Sequence, residues 1–327
     1  MGLIEDELSE VRKLCEHTIQ GCKLVSCVQS MIRAEIQRTN FKKIVICIQY
    51  PKDYPNYPLL IELKSKTFSE KLLAGLTTVV EQEAKKYLGK PQVLKVLQFV
   101  KAFIDEHPLA CCYDEINNLK KNLNGSQDEL KLKQKTSCLY LKVFNECYYL
   151  TSKVVIPDQY PDVVIKFEDI QSNFSSTFNR HIIAQVKEIV RRCVEPPLRK
   201  PKPNEPLFKP KPSLEKAVFF LIDCIKRLPK ENCQFCKTKC FPDDPSLVVL
   251  DENSPDHIER VYCGHLYHQS CLFQYLKTPP FGNKRCQTCG QKICHPKWSL
   301  SDKLAEDRWA HEQARERELA EVEEFFK

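Results

Sequence analysis

The spacing of cysteine and histidine residues near the C-terminal end constrains this chain more than any other feature. Of its 18 cysteines, eight fall between Cys233 and Cys294, and six of those form a regular series with two histidines. Two Cys-x2-Cys pairs enclose a Cys-x-His-x2-His-x2-Cys segment, with intervals of 26 and 14 residues, to give Cys233, Cys236, Cys263, His265, His268, Cys271, Cys286 and Cys289. Thiolate and imidazole are preferred zinc ligands, and eight of them complete two tetrahedral sites. The series therefore predicts two structural zinc ions.

The residues alone leave the assignment of ligands to ions open. Neighbouring pairs could share one ion, as in linear zinc fingers, or alternate pairs could do so. Spare candidates in the same stretch are Cys240, His257, Cys294 and His295. The ten cysteines between Cys15 and Cys224 are scattered, several of them in apolar runs, and are predicted to be small buried side chains. The acidic first residues lack a secretory pattern, so we expect reduced thiols and a cytoplasmic or nuclear location.

The ten residues from Cys263 to Leu272 resemble, almost letter for letter, the centre of RING fingers of the two-histidine type. The resemblance covers about 60 residues and includes both flanking cysteine pairs. It implies cross-braced coordination, in which ligand pairs alternate between the two ions. The first site would then be formed by Cys233, Cys236, His268 and Cys271. The second would be formed by Cys263, His265, Cys286 and Cys289.

RING fingers bind a ubiquitin-conjugating enzyme that carries ubiquitin as a thioester, and the resemblance implies the same activity here. Such a ubiquitin-protein ligase is a transferase that forms no covalent ubiquitin intermediate, because its contribution is to position the thioester for lysine attack. The family's docking groove lies between the zinc loops, and the matching positions are Phe235 and Tyr275. An aromatic pair suits a small docking surface. Local packing inside the finger is the alternative role of both rings.

Two departures from the RING pattern favour weak or conditional activity. The residue after Cys286 is not the usual proline, and Gly290 stands where many active RING fingers have arginine or lysine. Lys292 is too far along the chain to replace that side chain. The alternative function is therefore a non-enzymatic, zinc-stabilised scaffold for protein interaction.

The first two-thirds of the chain contain an internal repeat. At an offset of 106, the Pro-x2-Tyr-Pro run at 51–55 aligns with the same run at 157–161, and Phe68 aligns with Phe174. Beyond an insertion at 198–212 the offset becomes 121. The hydrophobic pattern predicts one α+β unit per copy. The first copy opens with a helix that has Leu8 on its apolar face. Strands at 23–28, 31–36, 43–49 and 59–64 follow, and then helices at 70–88 and 93–106. The second copy is predicted to have strands at 137–144, 148–156 and 163–167 and helices at 176–193 and 213–227.

This order of elements, with the Tyr-Pro-x2-Tyr-Pro-x2-Pro run at 50–58, resembles the RWD domain, a relative of the ubiquitin-conjugating fold. The resemblance implies catalytically inactive units that recruit a protein substrate or a complex subunit. A conjugating enzyme would need His-Pro-Asn before its cysteine, and the run from His107 to Cys111 lacks the asparagine, so we interpret it as a domain junction. Two such units before a RING finger are similar to the architecture of Fanconi anaemia complementation group L type ligases.

The predicted organisation is thus α+β, with two tandem RWD-like domains at 1–108 and 109–229, a RING finger at 230–297 and a charged C-terminal helix at 298–327. The net charge of +7 is too small to indicate a nucleic-acid partner. No run of eighteen apolar residues is present, so we expect no membrane partner. The conjugating enzyme and a protein recruited by the RWD-like domains are the expected partners.

Overall fold

The computed structural model describes residues 2–123, 126–199, 206–293 and 301–326. The chain is mixed α+β and divides into two compact units. The first comprises 1–143, 150–171 and 181–222, and the second comprises 144–149, 172–180 and 223–327. Among the described helices, none has the length and apolar character needed to cross a membrane.

The first third of the chain folds as one helix, then a four-stranded antiparallel sheet, then two further helices. Its elements are α1 (Leu3–Thr18), β1 (Cys22–Val28), β2 (Met31–Thr39), β3 (Lys42–Gln49), β4 (Leu60–Lys64), α2 (Glu70–Ala84) and α3 (Val93–Glu106), and the strands pair in sequence order. Alternation decides which face is inside: Ile44, Ile46 and Ile48 of β3 are fully buried, and the residues between them are partly exposed. Helix α1 covers this face with Val11 and Cys15, four residues apart.

A second four-stranded sheet repeats this order of elements. It consists of α4 (Tyr113–Asn122), β5 (Glu129–Lys133), β6 (Cys138–Asn145), β7 (Tyr148–Val155), β8 (Lys166–Ser172), α5 (Ser176–Val194) and α6 (Leu214–Arg227), with the strands again adjacent in sequence order. Its assignment as a second RWD-like domain stays a prediction.

A buried carboxylate joins three elements of the first repeat. Oε1 of Glu7 on α1 accepts hydrogen bonds from the backbone N–H groups of Gln92 and Val93, at 2.7 and 2.8 Å, where α3 begins. The hydroxyl of Tyr54 donates to the other carboxylate oxygen at 2.5 Å. Because the first N–H groups of a helix have no partners within it, the carboxylate completes the start of α3.

The second repeat contains the same arrangement. The Tyr160 hydroxyl donates to Glu115 of α4 at 2.7 Å, and the N–H of Leu214 at the start of α6 donates to the Tyr160 oxygen at 3.0 Å. Glu115 also accepts from the N–H of Glu215 at 3.0 Å. Burial raises the pKa of Glu115. Both tyrosines precede a proline in a cis peptide. The repeat therefore extends to side chains as well as to element order.

Several predicted boundaries differ from those observed. The last strand of the second sheet runs over Lys166–Ser172 and not 163–167, and α2 ends at Ala84, after which a 3-10 turn covers Lys85–Tyr87. The prediction also named neither α4 nor β5. Residues 200–205 of the 198–212 insertion lie outside the described residues.

The second unit holds the small sheet of β9 (Ile258–Arg260) and β10 (Leu266–His268), followed by α7 (Gln269–Lys277) and α8 (Asp302–Phe325). Its apolar centre includes Phe241, whose ring lies 5.0 to 5.7 Å, between centroids, from the rings of Tyr148, Phe174 and Phe178. The Tyr148 hydroxyl donates to the carbonyl of Pro242 at 2.7 Å. The loop after the first cysteine pair is thus anchored in an aromatic cluster.

Candidate metal centre

The structure gathers the eight predicted ligands into two groups of four. One contains Cys233, Cys236, His268 and Cys271, and the other contains Cys263, His265, Cys286 and Cys289. In each group all the donor atoms lie within 4.8 Å of one another. The groups interleave along the chain, since the first pair of the second group lies between the two pairs of the first. This is the alternating arrangement and not the linear one.

Each Cys-x2-Cys pair lies in the same kind of tight turn. The N–H of Lys237 donates to the carbonyl of Cys233, and the N–H of Gly290 donates to the carbonyl of Cys286, both at 2.8 Å. Lys237 and Gly290 have φ values of +65° and +72°, in the left-handed region. In each turn, the residue before the first cysteine forms an isolated antiparallel bridge with a residue after the second, Asn232 with Lys239 and Arg285 with Lys292. The two turns therefore direct both thiols of a pair to one side.

The middle four ligands depend on β10 and α7. His265 comes directly before β10, His268 ends it, and Cys271 lies in the first turn of α7. Gly264, between the first two of these ligands, has φ +94°, which glycine adopts without steric cost. His265 and His268 are three residues apart along this extended segment, so their side chains point to opposite faces and toward different groups.

Hydrogen bonds and burial act in opposite directions on the pKa values of the Cys236 and Cys286 thiols. Burial disfavours the thiolate of Cys236, but hydrogen bonding to Thr238 outweighs it and lowers the pKa to about 6. Burial likewise opposes ionisation of Cys286, where a hydrogen bond from the Tyr267 hydroxyl, with O and Sγ 3.0 Å apart, helps lower the pKa to about 6. Burial raises the pKa of Cys271 to about 12. A divalent cation would favour the thiolate at all of these positions.

The donor geometry fits zinc. With Zn–S near 2.3 Å and Zn–N near 2.0 Å, sulfur and nitrogen donors on a tetrahedron lie about 3.6 Å apart. Sγ of Cys236 lies 3.2 Å from Nδ1 of His268, and Nδ1 of His265 lies 3.4 and 3.5 Å from Sγ of Cys263 and Cys286. Each group could thus hold one metal ion through four protein ligands, which leaves no position for a substrate.

The spare candidates have other surroundings. Cys240 is buried outside both groups, and burial raises its pKa. Nδ1 of His257 lies 3.2 Å from the carbonyl oxygen of Val249. Cys294 and His295 lie outside the described residues.

The two aromatic residues predicted to form the docking surface are adjacent. The ring centroids of Phe235 and Tyr275 are 4.7 Å apart, and both rings are partly exposed. Phe235 also contacts the buried ring of Tyr267 at 5.1 Å between centroids. Tyr275 is fixed by its hydroxyl, which donates to the carbonyl of Arg285 at 3.2 Å. This hydrogen bond joins α7 to the second cysteine turn, a role for Tyr275 that the sequence pattern did not reveal.

The comparisons with known proteins concern the other end of the chain. The RWD domain family matches residues 4–104. Residues 4–104 are an RWD domain. No curated protein matches the chain.

The RWD domain extends from α1 to α3 and contains the Glu7–Tyr54 network. RWD domains are not catalytic in themselves, and this one indicates protein interaction in the ubiquitin pathway. Just after it, the His-Pro run continues into a 3-10 turn over Pro108–Cys112. The thiol of Cys111 is partly buried and donates to the carbonyl of Pro108, with S and O 3.4 Å apart.

Proposed function

We propose that this protein is a RING-type ubiquitin-protein ligase with two zinc ions. The observation that carries the proposal is the interleaving of the two Cys/His groups. Interleaved sites tie distant parts of a short segment to shared ions, so both loops become rigid together. The free energy of zinc binding, about 10–16 kcal/mol per structural site, would stabilise a segment that has few apolar residues of its own.

The docking surface for the conjugating enzyme would be the partly exposed Phe235–Tyr275 pair. These rings lie beside the first cysteine turn and α7, and Tyr275 is hydrogen-bonded to the backbone before the second turn. A surface held from both sides is preorganised, which lowers the entropic cost of binding. The bound enzyme would keep its own thioester, and the ligase would contribute only orientation for attack by a lysine.

The RWD domain at 4–104 and the repeat that follows it would recruit the substrate or a complex subunit. The RWD domain is not catalytic in itself and belongs to a family of the ubiquitin pathway, which supports a recruiting role for this part of the chain. The zinc-binding segment would then bind the conjugating enzyme. The repeated Glu–Tyr network supports the second repeat as an RWD-like domain.

The decisive experiment is autoubiquitination by the zinc-loaded protein with a panel of ubiquitin-charged conjugating enzymes. We expect activity with at least one enzyme, and loss of about 90% or more of it in Phe235→Ala, because removing a central aromatic residue from an interface costs on the order of 2 kcal/mol. Tyr262→Ala is the matched control, since this aromatic side chain is 74% exposed. Equal activity in the two variants would rule out the proposed docking surface.

A zinc-stabilised scaffold without ligase activity is the second candidate, and Gly290 favours it. This residue has no side chain to contact ubiquitin, and its φ of +72° favours glycine. Lys237 adopts nearly the same backbone conformation at the matching position of the first turn, which shows that this conformation can carry a long side chain. Gly290→Arg should therefore increase a weak ligase activity several-fold. A protein with two zinc ions and no activity in either form would support the scaffold.

A further inference from the structure

The second half of α8 carries apolar side chains that nothing covers in the described part of the chain. In its first half, Trp309 packs against Phe281, with ring centroids 6.0 Å apart, and the Glu312 carboxylate lies 3.5 Å from Nζ of Lys277 on α7. From residue 314 onward every described residue is exposed. Leu319, Val322 and Phe326 are 56%, 53% and 82% exposed. A polar helix of this length gains little stability unless one face is packed.

These apolar residues form one stripe with acidic flanks. Leu319, Val322 and Phe326 are spaced at i, i+3 and i+7, so they lie on the same side of the helix. Glu316 and Glu323 lie along one edge of this stripe, seven residues apart. Residues 314–326 include five glutamates against two arginines. We call Glu316, Leu319, Val322, Glu323 and Phe326 together the acidic stripe.

The second sheet has a surface of the opposite charge. By strand alternation its solvent face carries five lysines and two glutamates, and we call this surface the basic face: Lys131, Lys133, Lys142, Lys153 and Lys166. Lys131 pairs with Glu129 at 2.8 Å and Lys153 with Glu168 at 2.7 Å, so the face keeps a net positive charge after both pairs are counted. Where β5 ends, Nζ of Lys133 lies 4.7 Å from the ring centroid of Tyr140 on the neighbouring strand.

We propose that the acidic stripe of one copy docks on the basic face of a second copy. Lys131 lies opposite Tyr140 in the pairing of β5 with β6, and Lys153 lies on β7, the strand on the other side of β6. Lysines on β5 and β7 are two strand spacings, about 10 Å, apart. Glu316 and Glu323 are about 10 Å apart along the helix axis. A helix crossing the strands thus pairs both glutamates while its apolar residues meet Tyr140 and the lysine stems.

Two other occupants fit less well. Parallel pairing of two α8 helices would bring Glu318 and Glu323 of the two copies together beside the apolar stripe, which is repulsive. Nucleic acid on the basic face would leave the apolar residues of α8 uncovered. A mutual exchange of helices gives two identical contacts related by a two-fold axis, the commonest symmetry of homo-oligomers.

The test is the oligomeric state of the whole zinc-loaded chain, measured by sedimentation velocity over a concentration series. We expect a monomer–dimer equilibrium with a dissociation constant on the order of 10 µM, weakened by salt. The double variants Glu316→Lys/Glu323→Lys and Lys131→Glu/Lys153→Glu should each weaken dimerisation about tenfold or more.

Each variant has a control with the same change in net charge. Glu321→Lys/Glu324→Lys alters the opposite side of α8, and Lys23→Glu/Lys64→Glu alters exposed lysines on the first sheet. Both controls should dimerise like the original protein.

A mixture of the two weakened variants provides the sharpest outcome. Reversed helices then face reversed sheets, and unreversed helices face unreversed sheets, so the mixture should dimerise although neither variant does so alone. A chain that stays monomeric at the highest concentration, a dimer unaffected by both reversals, or a mixture that stays monomeric would each overturn the proposal. Circular dichroism and zinc content check that every variant is folded.

Discussion

Replacement of Glu7 by alanine should destabilise the RWD domain strongly, although this residue is an acidic side chain on a surface helix. Its carboxylate accepts from the N–H groups of Gln92 and Val93 and from the Tyr54 hydroxyl, and the side chain is almost fully buried. The substitution leaves the Val93 N–H and the Tyr54 hydroxyl without this acceptor, whereas the Gln92 N–H keeps a second one, the Tyr54 oxygen at 3.0 Å. At about 1–3 kcal/mol for each buried donor, partly offset by water that enters the space, we expect a loss of about 3–5 kcal/mol.

Hydrogen exchange of the full chain, read by mass spectrometry, localises the effect. A loss of 3 kcal/mol corresponds to exchange of the α3 amides that is about 100-fold faster. Glu10→Ala, one turn along the same helix at an exposed position, is the control and should change exchange by less than about threefold. Glu115→Ala should act in the same way on α6. If Glu7→Ala and Glu10→Ala exchanged alike, the network would not stabilise α3.

Three further perturbations test other parts of the structure. Chelation of metal should release two zinc ions per chain and increase exchange across residues 230–293 while α1–α3 stay protected, and metal analysis that finds fewer than two ions would contradict the assignment. The Lys42 ammonium, 2.8 Å from Asp158 and hydrogen-bonded to it, lowers the pKa of that carboxyl. The ion pair therefore stabilises the fold above the ordinary carboxyl pKa, and this contribution is lost as pH falls through the lowered value. Asp158→Asn should flatten the pH dependence of thermal stability below about pH 4, and an unchanged pH profile would refute this. Phe241→Ala removes a fully buried ring from the aromatic cluster and should cost about 3–5 kcal/mol in chemical denaturation, whereas a loss below about 1 kcal/mol would mean that the cluster closes the gap.

The sequence predicted best the parts whose signal is local. Alternation along β3 and the prolines after it located the strands of the RWD domain within one residue, except that β2 continues to Thr39, three residues beyond its predicted end. The cysteine spacing identified the eight ligands, because a Cys-x2-Cys turn needs only neighbouring residues, whereas their grouping into two sites came from the resemblance to RING fingers. The prediction of β8 was wrong because the apolar run ending at Ile165 resembles a strand, whereas the paired residues from Lys166 form a polar edge strand with little burial.

Other features depend on partners far along the chain. Nothing near Glu7 distinguishes it from Glu10, because the N–H groups that it binds lie 85 and 86 residues away. The hydrogen bond from Tyr275 to the Arg285 carbonyl likewise depends on the fold of the loop between them. Only the three-dimensional structure brings such pairs together.

The Phe241 cluster has a practical consequence for anyone who divides the protein. A fragment beginning at residue 230 would retain both cysteine turns but lose the rings of Tyr148, Phe174 and Phe178. The freed phenylalanine and its loop would then face water, which favours aggregation of the excised piece. Assays of the proposed ligase activity on that fragment could fail for this reason alone, so recombinant work should keep the preceding sheet attached.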